Sequence, residues 1–332
     1  MNAFLWIALL MARPAVPADT LRPLHLSGHA QGTTWHITYY ATDSTVLASQ
    51  IDSILDKIDS SLSLYKPYSL ICRFNRDPHG ILMDAHLAAV IRQALDTYQA
   101  SSGLFDVTVQ PLVEAWGFSA RQPDEYPDSA TIRRILSCVG SAQLSVRDGR
   151  LLKAQPCVHI DLDGIAQGYS VDVLANFLEQ QHITSYLVEL GGELRVKGRK
   201  PSGERMRVGI EAPSENEFAE AVVQKIISMD SGAITTSGNY RAWHEQNGKK
   251  FSHTIDPHSG YPIDNELISV TVYAKKAIIA DAYDNALMIM GLSKAMEFVN
   301  KRKDMAAFFI YRDKKGAIVS ATSKSFNALL NP

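Results

Sequence analysis

Residues 278–291, IIADAYDNALMIMG, carry two aspartates and an asparagine on one face of an otherwise apolar run. At helical spacing Asp281, Asp284 and Asn285 are i, i+3 and i+4 neighbours. Two carboxylates so placed repel by about 0.2–0.5 kcal/mol on an exposed helix. Buried among Ala, Leu, Ile and Met they cost far more unless they are paired or bind a cation. The stretch therefore reads as a helix with a positive partner beside its acidic face.

Outward from this helix, strands and helices come in runs. Leu267–Tyr273 before it reads as a strand; a helix over Ser293–Asn300 and a hairpin over AAFFIYRDKKGAIVS (306–320) follow. Near the other end, TTWHITYYA (33–41) is rich in the β-branched and aromatic residues of a strand. Ile51, Ile54, Leu55, Ile58 and Leu62 recur with helical period. Leu87, Val90, Ile91, Ala94, Leu95 and Tyr98 mark a second helix from about Ala85, with Gly103 on its C-cap side.

DSATIRRILSCVG (128–140) predicts a short helix capped by Asp128 or Ser129, and AQLSVRDGRLLKA (142–154) a hairpin turning at Asp148-Gly149. Then come a strand ending in VHIDL (158–162) and a helix over Ile165–Gln181. Strands over Tyr186–Leu190, Arg205–Glu211 and Val223–Met229 follow, with a hairpin turning at Asn247-Gly248. Without strict alternation of strand and helix, the pattern indicates α+β: a single large domain of mixed sheets packed with helices.

The 332 residues are 46% hydrophobic and 20% charged, an ordinary globular composition. A net charge of −2, with no basic block longer than KRK (301–303), argues against nucleic acid as a partner. The odd count of cysteines (Cys72, Cys138, Cys157) excludes a fully paired disulfide framework, and their spacing matches no zinc site. Residues 1–18 read as an export signal: an apolar core over Ala3–Ala12 precedes Val16-Pro17-Ala18, a small-residue cleavage pattern. The core is too short to span a bilayer. The mature domain would then run over 19–332, without a cysteine at its start for lipid attachment.

HIDLDGIAQGYSVD (159–172) places Asp161 at a strand end and Asp163 where it can cap the next helix, with Gly164 and Gly168 allowing close approach. Amides at such a helix start favour phosphate, and a turn carbonyl can ligate a cation, but an ordinary capped turn uses the same residues. SHTIDPHSGYP (252–262) sets His253 shortly before Asp256, where it could serve as a general base; most loop histidines are simply surface residues. VELGGEL (188–194) and TTSGNY (235–240) put glycines straight after apolar strands, for close ligand approach or for ordinary tight turns. LSLYKPYSLICRFN (62–75) and GLFDVTV (103–109) add Tyr65 and Phe105, which can stack on a ligand or fill a core.

Taken in order with GTTWHI (32–37), GLFDVTVQPLVEAWGF (103–118) and ADAYDNALMIMG (280–291), these motifs resemble the ApbE family over about residues 28 to 325. Members are FAD:protein FMN transferases. The resemblance implies Mg²⁺, with FAD as substrate. FMN is attached through a phosphoester to a threonine, in an Asp/Ser-Gly-Ala/Ser-Thr type motif, of an exported electron-transfer protein. Subunits of a membrane-associated redox complex are the implied partners, and the implied location is periplasmic or the outer face of the cell membrane. Some members hydrolyse FAD to FMN and AMP. The alternatives are therefore a Mg²⁺-dependent FAD pyrophosphatase and an exported flavin-binding protein without catalysis.

By the same resemblance, Asp281, Asn285 and the Gly164 carbonyl bind Mg²⁺, with Asp284 a ligand directly or through water. Asn285 stands where threonine is usual, yet its amide oxygen is still a hard neutral donor. Flavin-contacting positions fall on Tyr65, Leu104, Phe105, Asp106, Asp161, Gln167 and Thr254, and His253 on the general base. Gln31 replaces a common methionine, Gln167 a lysine or glutamate, and His258 the arginine of DPRTG.

The export reading has a direct test. N-terminal sequencing of protein fractionated from the native host should begin near Asp19, outside the cytoplasm. An intact Met1 in the cytosolic fraction would overturn it.

Overall fold

The computed structural model describes residues 21–119, 125–212, 223–239, 243–246 and 249–330, and is α+β as the runs predict. Residues 1–18, the expected signal, lie outside the described residues. Among those described, the strands are β1 (Arg22–Ala30), β2 (Thr33–Ala41), β3 (Gly80–Leu82), β4 (Leu144–Arg147), β5 (Arg150–Lys153), β6 (Tyr186–Leu190), β7 (Glu193–Lys197), β8 (Met206–Glu211), β9 (Val223–Met229), β10 (Ser231–Gly238), β11 (Trp243–Gln246), β12 (Lys249–Ser252), β13 (Leu267–Ala274), β14 (Met305–Arg312) and β15 (Ile318–Thr322). The helices are α1 (Ala48–Leu62), α2 (Leu70–Arg76), α3 (Ala85–Ala100), α4 (Gln110–Ala115), α5 (Ser129–Leu136), α6 (Asp163–Gln180), α7 (Ala277–Met290), α8 (Leu292–Asn300) and α9 (Asn327–Leu330).

One eight-stranded sheet, ordered β1-β2-β6-β7-β10-β13-β14-β15 and antiparallel throughout, organises the chain. Its central strands are covered on both faces, so they read as continuous apolar runs rather than alternating ones. In β14, Met305, Ala307 and Phe309 pack with α7 and α8, while Ala306, Phe308 and Ile310 pack with the β8–β9 ribbon and Phe326. Over the other half of the sheet, Trp35, Ile37 and Tyr39 of β2 share a core with α1, α3 and α6.

Helices α6 and α7 lie against each other and carry most of the residues of interest. Gly168 is the point of contact: a Cβ there would sit 2.5 Å from the Ala277 carbonyl oxygen and 2.7 Å from Asp281 Cβ. The bare backbone instead lets the Gly168 amide donate to Asp281 Oδ2 at 2.8 Å. Asp172, one turn further along α6, accepts from the Ala277 and Ile278 amides at 3.1 Å each. It thereby caps α7, whose own N-cap residue, Lys276, offers no side-chain bond. Arg195 on β7 donates to the same carboxylate at 2.7 Å.

Three readings of the sequence need correction. VHIDL is no strand. Its alternation of buried Val158, Ile160 and Leu162 is real, but the backbone bonds to the Asn75 side chain and to the Val107 carbonyl instead of a neighbouring strand. Asp163 does not cap α6; it is the first helical residue, and its amide donates to Asp161 Oδ1 at 2.8 Å. Strands β1, β3 and β7 were not foreseen. β6 and β7 form a hairpin around Gly191 and Gly192, at φ 64° and 109°, so these glycines serve a tight turn. The turn expected at Asn247-Gly248 lies outside the described residues, although β11 and β12 pair on either side of it.

Of the three cysteines, Cys138 and Cys157 form a disulfide with Cα atoms 5.5 Å apart. Cys72 keeps a free thiol, which donates to the Leu64 carbonyl at 3.3 Å.

The α6–α7 contact predicts that Gly168→Ala loses about 1–3 kcal/mol, because the added methyl meets backbone and the helices must part. Urea unfolding should show a lower midpoint with an unchanged slope. An unchanged midpoint would mean the contact has slack.

Candidate active site

The segment before α6 delivers two carboxylates to one place. Asn75 clamps it from α2: its Nδ2 donates to the Ile160 carbonyl at 2.9 Å, and its Oδ1 accepts from the Ile160 amide at 2.8 Å. The Asp161 amide donates to the Val107 carbonyl at 2.7 Å. The Tyr65 hydroxyl donates to Asp163 Oδ2 at 3.3 Å. Enclosure, with the neighbouring charges of Asp163 and Glu114, pushes Asp161 above the usual carboxylate range. Desolvation raises Asp163 too, against the opposing pull of the Tyr65 hydroxyl. The Tyr65 phenol rises to about 12, first because of the Asp163 charge.

Across from this segment stands the acidic face of α7. Asp281 and Asp284 are 5% and 1% exposed, so the two carboxylates are buried as the apolar run predicts. Burial raises Asp281 from its ordinary 3.8 to about 7, against the opposing pull of the Gly168 amide. Burial, then the Asp281 charge, holds Asp284 well above its usual range.

Asn285 sits between them and the α6 turn. Its Nδ2 lies 3.0 Å from Asp284 Oδ1, 3.1 Å from the Asp281 carbonyl and 3.4 Å from the Gly164 carbonyl. Its Oδ1 accepts from Ser237 Oγ at 3.3 Å. Three oxygens thus converge on one amide nitrogen, whose partial positive charge occupies the place a cation would take. Turning the amide over would exchange that nitrogen for a fourth oxygen. Carboxylate, amide and backbone oxygens are the hard donors magnesium takes, so these residues fit it. Among the described residues no three Asp, Glu, His or Cys side chains group closely enough to hold an ion by themselves. Neutral oxygens from Asn285 and Gly164 would have to complete any set.

The flavin-directed positions wall the adjoining space. Leu104, Phe105 and Asp106, after α3, face Thr254 across a cavity of about 190 Å³, with Asp161 and Gly164 between them. His253, Gly164 and Asn285 also border a second cavity of about 740 Å³, which takes in Gln167, Asp281 and Asp284. The His253 ring meets Phe118 edge-on, with centroids 6.4 Å apart. Tyr65, Gln31 and Gln167 border a third space of about 210 Å³. All thirteen candidate residues therefore line connected or adjoining cavities around the start of α6.

Several contribute in ways their sequence context did not reveal. The Asp106 carboxylate accepts from the Thr108 amide and hydroxyl and from the Ser141 amide and hydroxyl, at 2.6 to 3.0 Å. It braces the loop. Gln31 occupies a turn at φ 52°, and its amide bonds Ser170 of α6 at 3.0 Å. His258 packs over Gly103, where a Cβ would be 2.8 Å from its Nε2. Asn75, Ser237 and Glu193 were missed as site residues. Glu193 lies within GGEL and Ser237 within TTSGNY, so both motifs carried the signal, whereas Asn75 at the end of a short helix carries none.

An acidic, oxygen-lined pocket thus adjoins a cleft walled by Phe105 and Phe118 on an α+β scaffold. The chain belongs to the ApbE family, whose model matches residues 31–309, and is by that kinship a transferase. A Haemophilus influenzae protein named FAD:protein FMN transferase is 33% identical over 330 residues, 96% of this chain and 94% of its own. The Vibrio cholerae protein of the same name is 37% identical over 87% of this chain and 86% of its own. The solved structure of the flavin transferase ApbE from Vibrio cholerae superposes with a TM-score of 0.84 at 34% identity, covering 93% of this chain and all of that one.

The raised acids set a sign for pH dependence. Between the unfolded value of 3.8 and about 7, folded Asp281 holds a proton that the unfolded chain has released, so stability falls as pH rises through that window. In chelator, the melting temperature should drop from pH 5 to pH 7.5, and Asp284→Asn should flatten the slope. A flat wild-type profile would mean the acidic face is already neutralised by other means.

Proposed function

We propose that the chain is a Mg²⁺-dependent FAD:protein FMN transferase, joining FMN through a phosphoester to a threonine of an exported electron-transfer protein and releasing AMP. The observation that carries this reading is the convergence of Gly164, Asp281, Asp284 and Asn285 beside the cavity walled by Phe105, Thr254 and His253. The names of the relatives support the substrate and the group transferred. Bound among those oxygens, Mg²⁺ supplies Lewis-acid neutralisation and a template for the pyrophosphate.

The chain's own residues supply the rest. Phe105 and Tyr65 offer aromatic faces to the flavin nucleotide, and the 104–106 backbone with Thr254 fixes its depth. Gln31 and Gln167 border the mouth from the α6 side. His253, shared by both larger cavities, takes the proton of the threonine hydroxyl as its oxygen bonds to the FMN-side phosphorus. The phosphorus–oxygen bond to AMP breaks, and AMP leaves with the bridging oxygen. Water in place of threonine gives FMN and AMP, so hydrolysis can share the site.

Residues 1–18 as an export signal place the reaction outside the cytoplasm, and the Cys138–Cys157 disulfide supports an oxidising compartment. The acceptor motif, an Asp/Ser-Gly-Ala/Ser-Thr segment of a membrane-associated redox subunit, belongs to this reading.

The test is incubation with FAD, Mg²⁺ and a peptide bearing that motif, followed by mass spectrometry. An FMN adduct supports transfer; AMP with free FMN and unmodified peptide leaves a pyrophosphatase; intact FAD leaves a binding protein. His253→Ala should keep its FAD affinity and lose about 10²–10⁴ in transfer rate. Equal loss of both would make His253 a binding residue, and an unchanged rate would remove it from the reaction.

A further inference from the structure

Glu193 begins β7 directly after the Gly191-Gly192 turn and borders the acidic cavity from the sheet side. It is only 8% exposed. Its own backbone amide supports the carboxylate, but Oε2 has no hydrogen-bond partner among the described residues. On the adjacent strand β10, one position past the Ile234–Leu194 pair, the buried Thr235 hydroxyl faces the Asp284 carboxylate without closing a well-formed hydrogen bond. Glu193, with its unpartnered Oε2, therefore borders the cavity that Asp281 and Asp284 enter from the helix side.

Among the described residues no cation pairs with Glu193. The charged groups acting on it are Asp281 and Glu189, both repulsive. Arg195 shares its face of β7 by strand alternation, but is held by Asp172 at 2.7 Å and Glu179 at 3.5 Å. A buried carboxylate oxygen left without donor or counter-charge is costly in a folded protein. It is accounted for if the donor arrives with the ligand.

We propose that Glu193 is a positioning residue of the divalent-cation site, acting through the cation's water shell to set how tightly the ion is held. This rests on the magnesium reading above. Among the described residues no three carboxylates group closely enough to share an ion, and Glu193 reaches the cavity from the sheet rather than from α7, so the role inferred for it is through the ion's waters. Magnesium dehydrates reluctantly and keeps several waters, each with protons to donate. An outer carboxylate oriented at those waters orders them and adds charge, a contribution typically worth about 10- to 100-fold in affinity.

The experiment is calorimetric titration of the chelator-stripped full chain with Mg²⁺ alone, for wild type, Glu193→Gln, Glu193→Asp and Asp281→Asn. Glu193→Gln should bind about 10- to 100-fold more weakly, Glu193→Asp should fall between it and wild type, and Asp281→Asn should lose binding. Melting in chelator separates this from misfolding: Glu193→Gln should melt no lower than wild type, because the neutral amide replaces a carboxyl whose charged form burial disfavours. Should Glu193→Gln prove unfolded, the Glu193→Asp affinity decides. Wild-type affinity in the folded Glu193 variants, with Asp281→Asn lost, overturns the role of Glu193 and leaves the magnesium reading intact. Failure of wild type to bind Mg²⁺ overturns both.

Discussion

The hydrogen bond from the Gly168 amide to Asp281 is the contact on which the site depends. It joins two helices at backbone distance, and only a residue without a side chain permits it. Asp172 repeats the relation one turn later in the opposite sense, an α6 carboxylate capping the start of α7. A negative group at a helix N-terminus is favoured both by the free amides and by the helix dipole. Arg195 then ties that carboxylate to the sheet. The azimuth of α7 is fixed by these bonds, and with it the direction in which Asp281, Asp284 and Asn285 face.

That geometry concentrates negative charge where the protein supplies little to offset it. Asp163, Glu193, Asp281 and Asp284 border one cavity. Asn285 gives partial relief, since its NH₂ reaches Asp284 and the Gly164 carbonyl. The amide offers two donors and, turned over, an oxygen. Ser237 donating to Oδ1 sets which face is presented. Local stability is given up here to keep an acidic face buried at the site, as functional sites commonly do.

Much of this was legible in the sequence. Long periodic helices emerged near their true ends because the 3.6-residue period of Ile51 to Leu62, or Leu87 to Tyr98, has no competing explanation. The acidic helix was legible for a different reason: carboxylates in an apolar run have few physical excuses. What failed was pairing. VHIDL alternates as a strand does, but alternation reports one buried face and says nothing about what bonds the backbone; Asn75 does that work from 85 residues away. The GG of VELGGEL suited both a hairpin turn and a ligand, and the turn explains its positive φ values. β1 was invisible because RPLHLSGHA, at the sheet edge, buries no residue fully.

The same limit explains Asp106. From sequence, an aspartate between Phe105 and Val107 in a family motif looks like a ligand contact, because a side chain's partners are set by the fold. In the fold it gathers Thr108 and Ser141, and Thr108 in turn accepts from the Gly140 amide at 2.6 Å. Two residues before Gly140, Cys138 is bonded to Cys157, which leads directly into the Val158–Asp161 segment. Asp161 closes the circuit by donating its amide to the Val107 carbonyl. The flavin-directed loop, the end of α5 and the segment bearing Asp161 and Asp163 are therefore one cross-linked unit. Its stiffness holds the loop-borne groups in place opposite those on α7, with Asn285 reaching across to the Gly164 carbonyl.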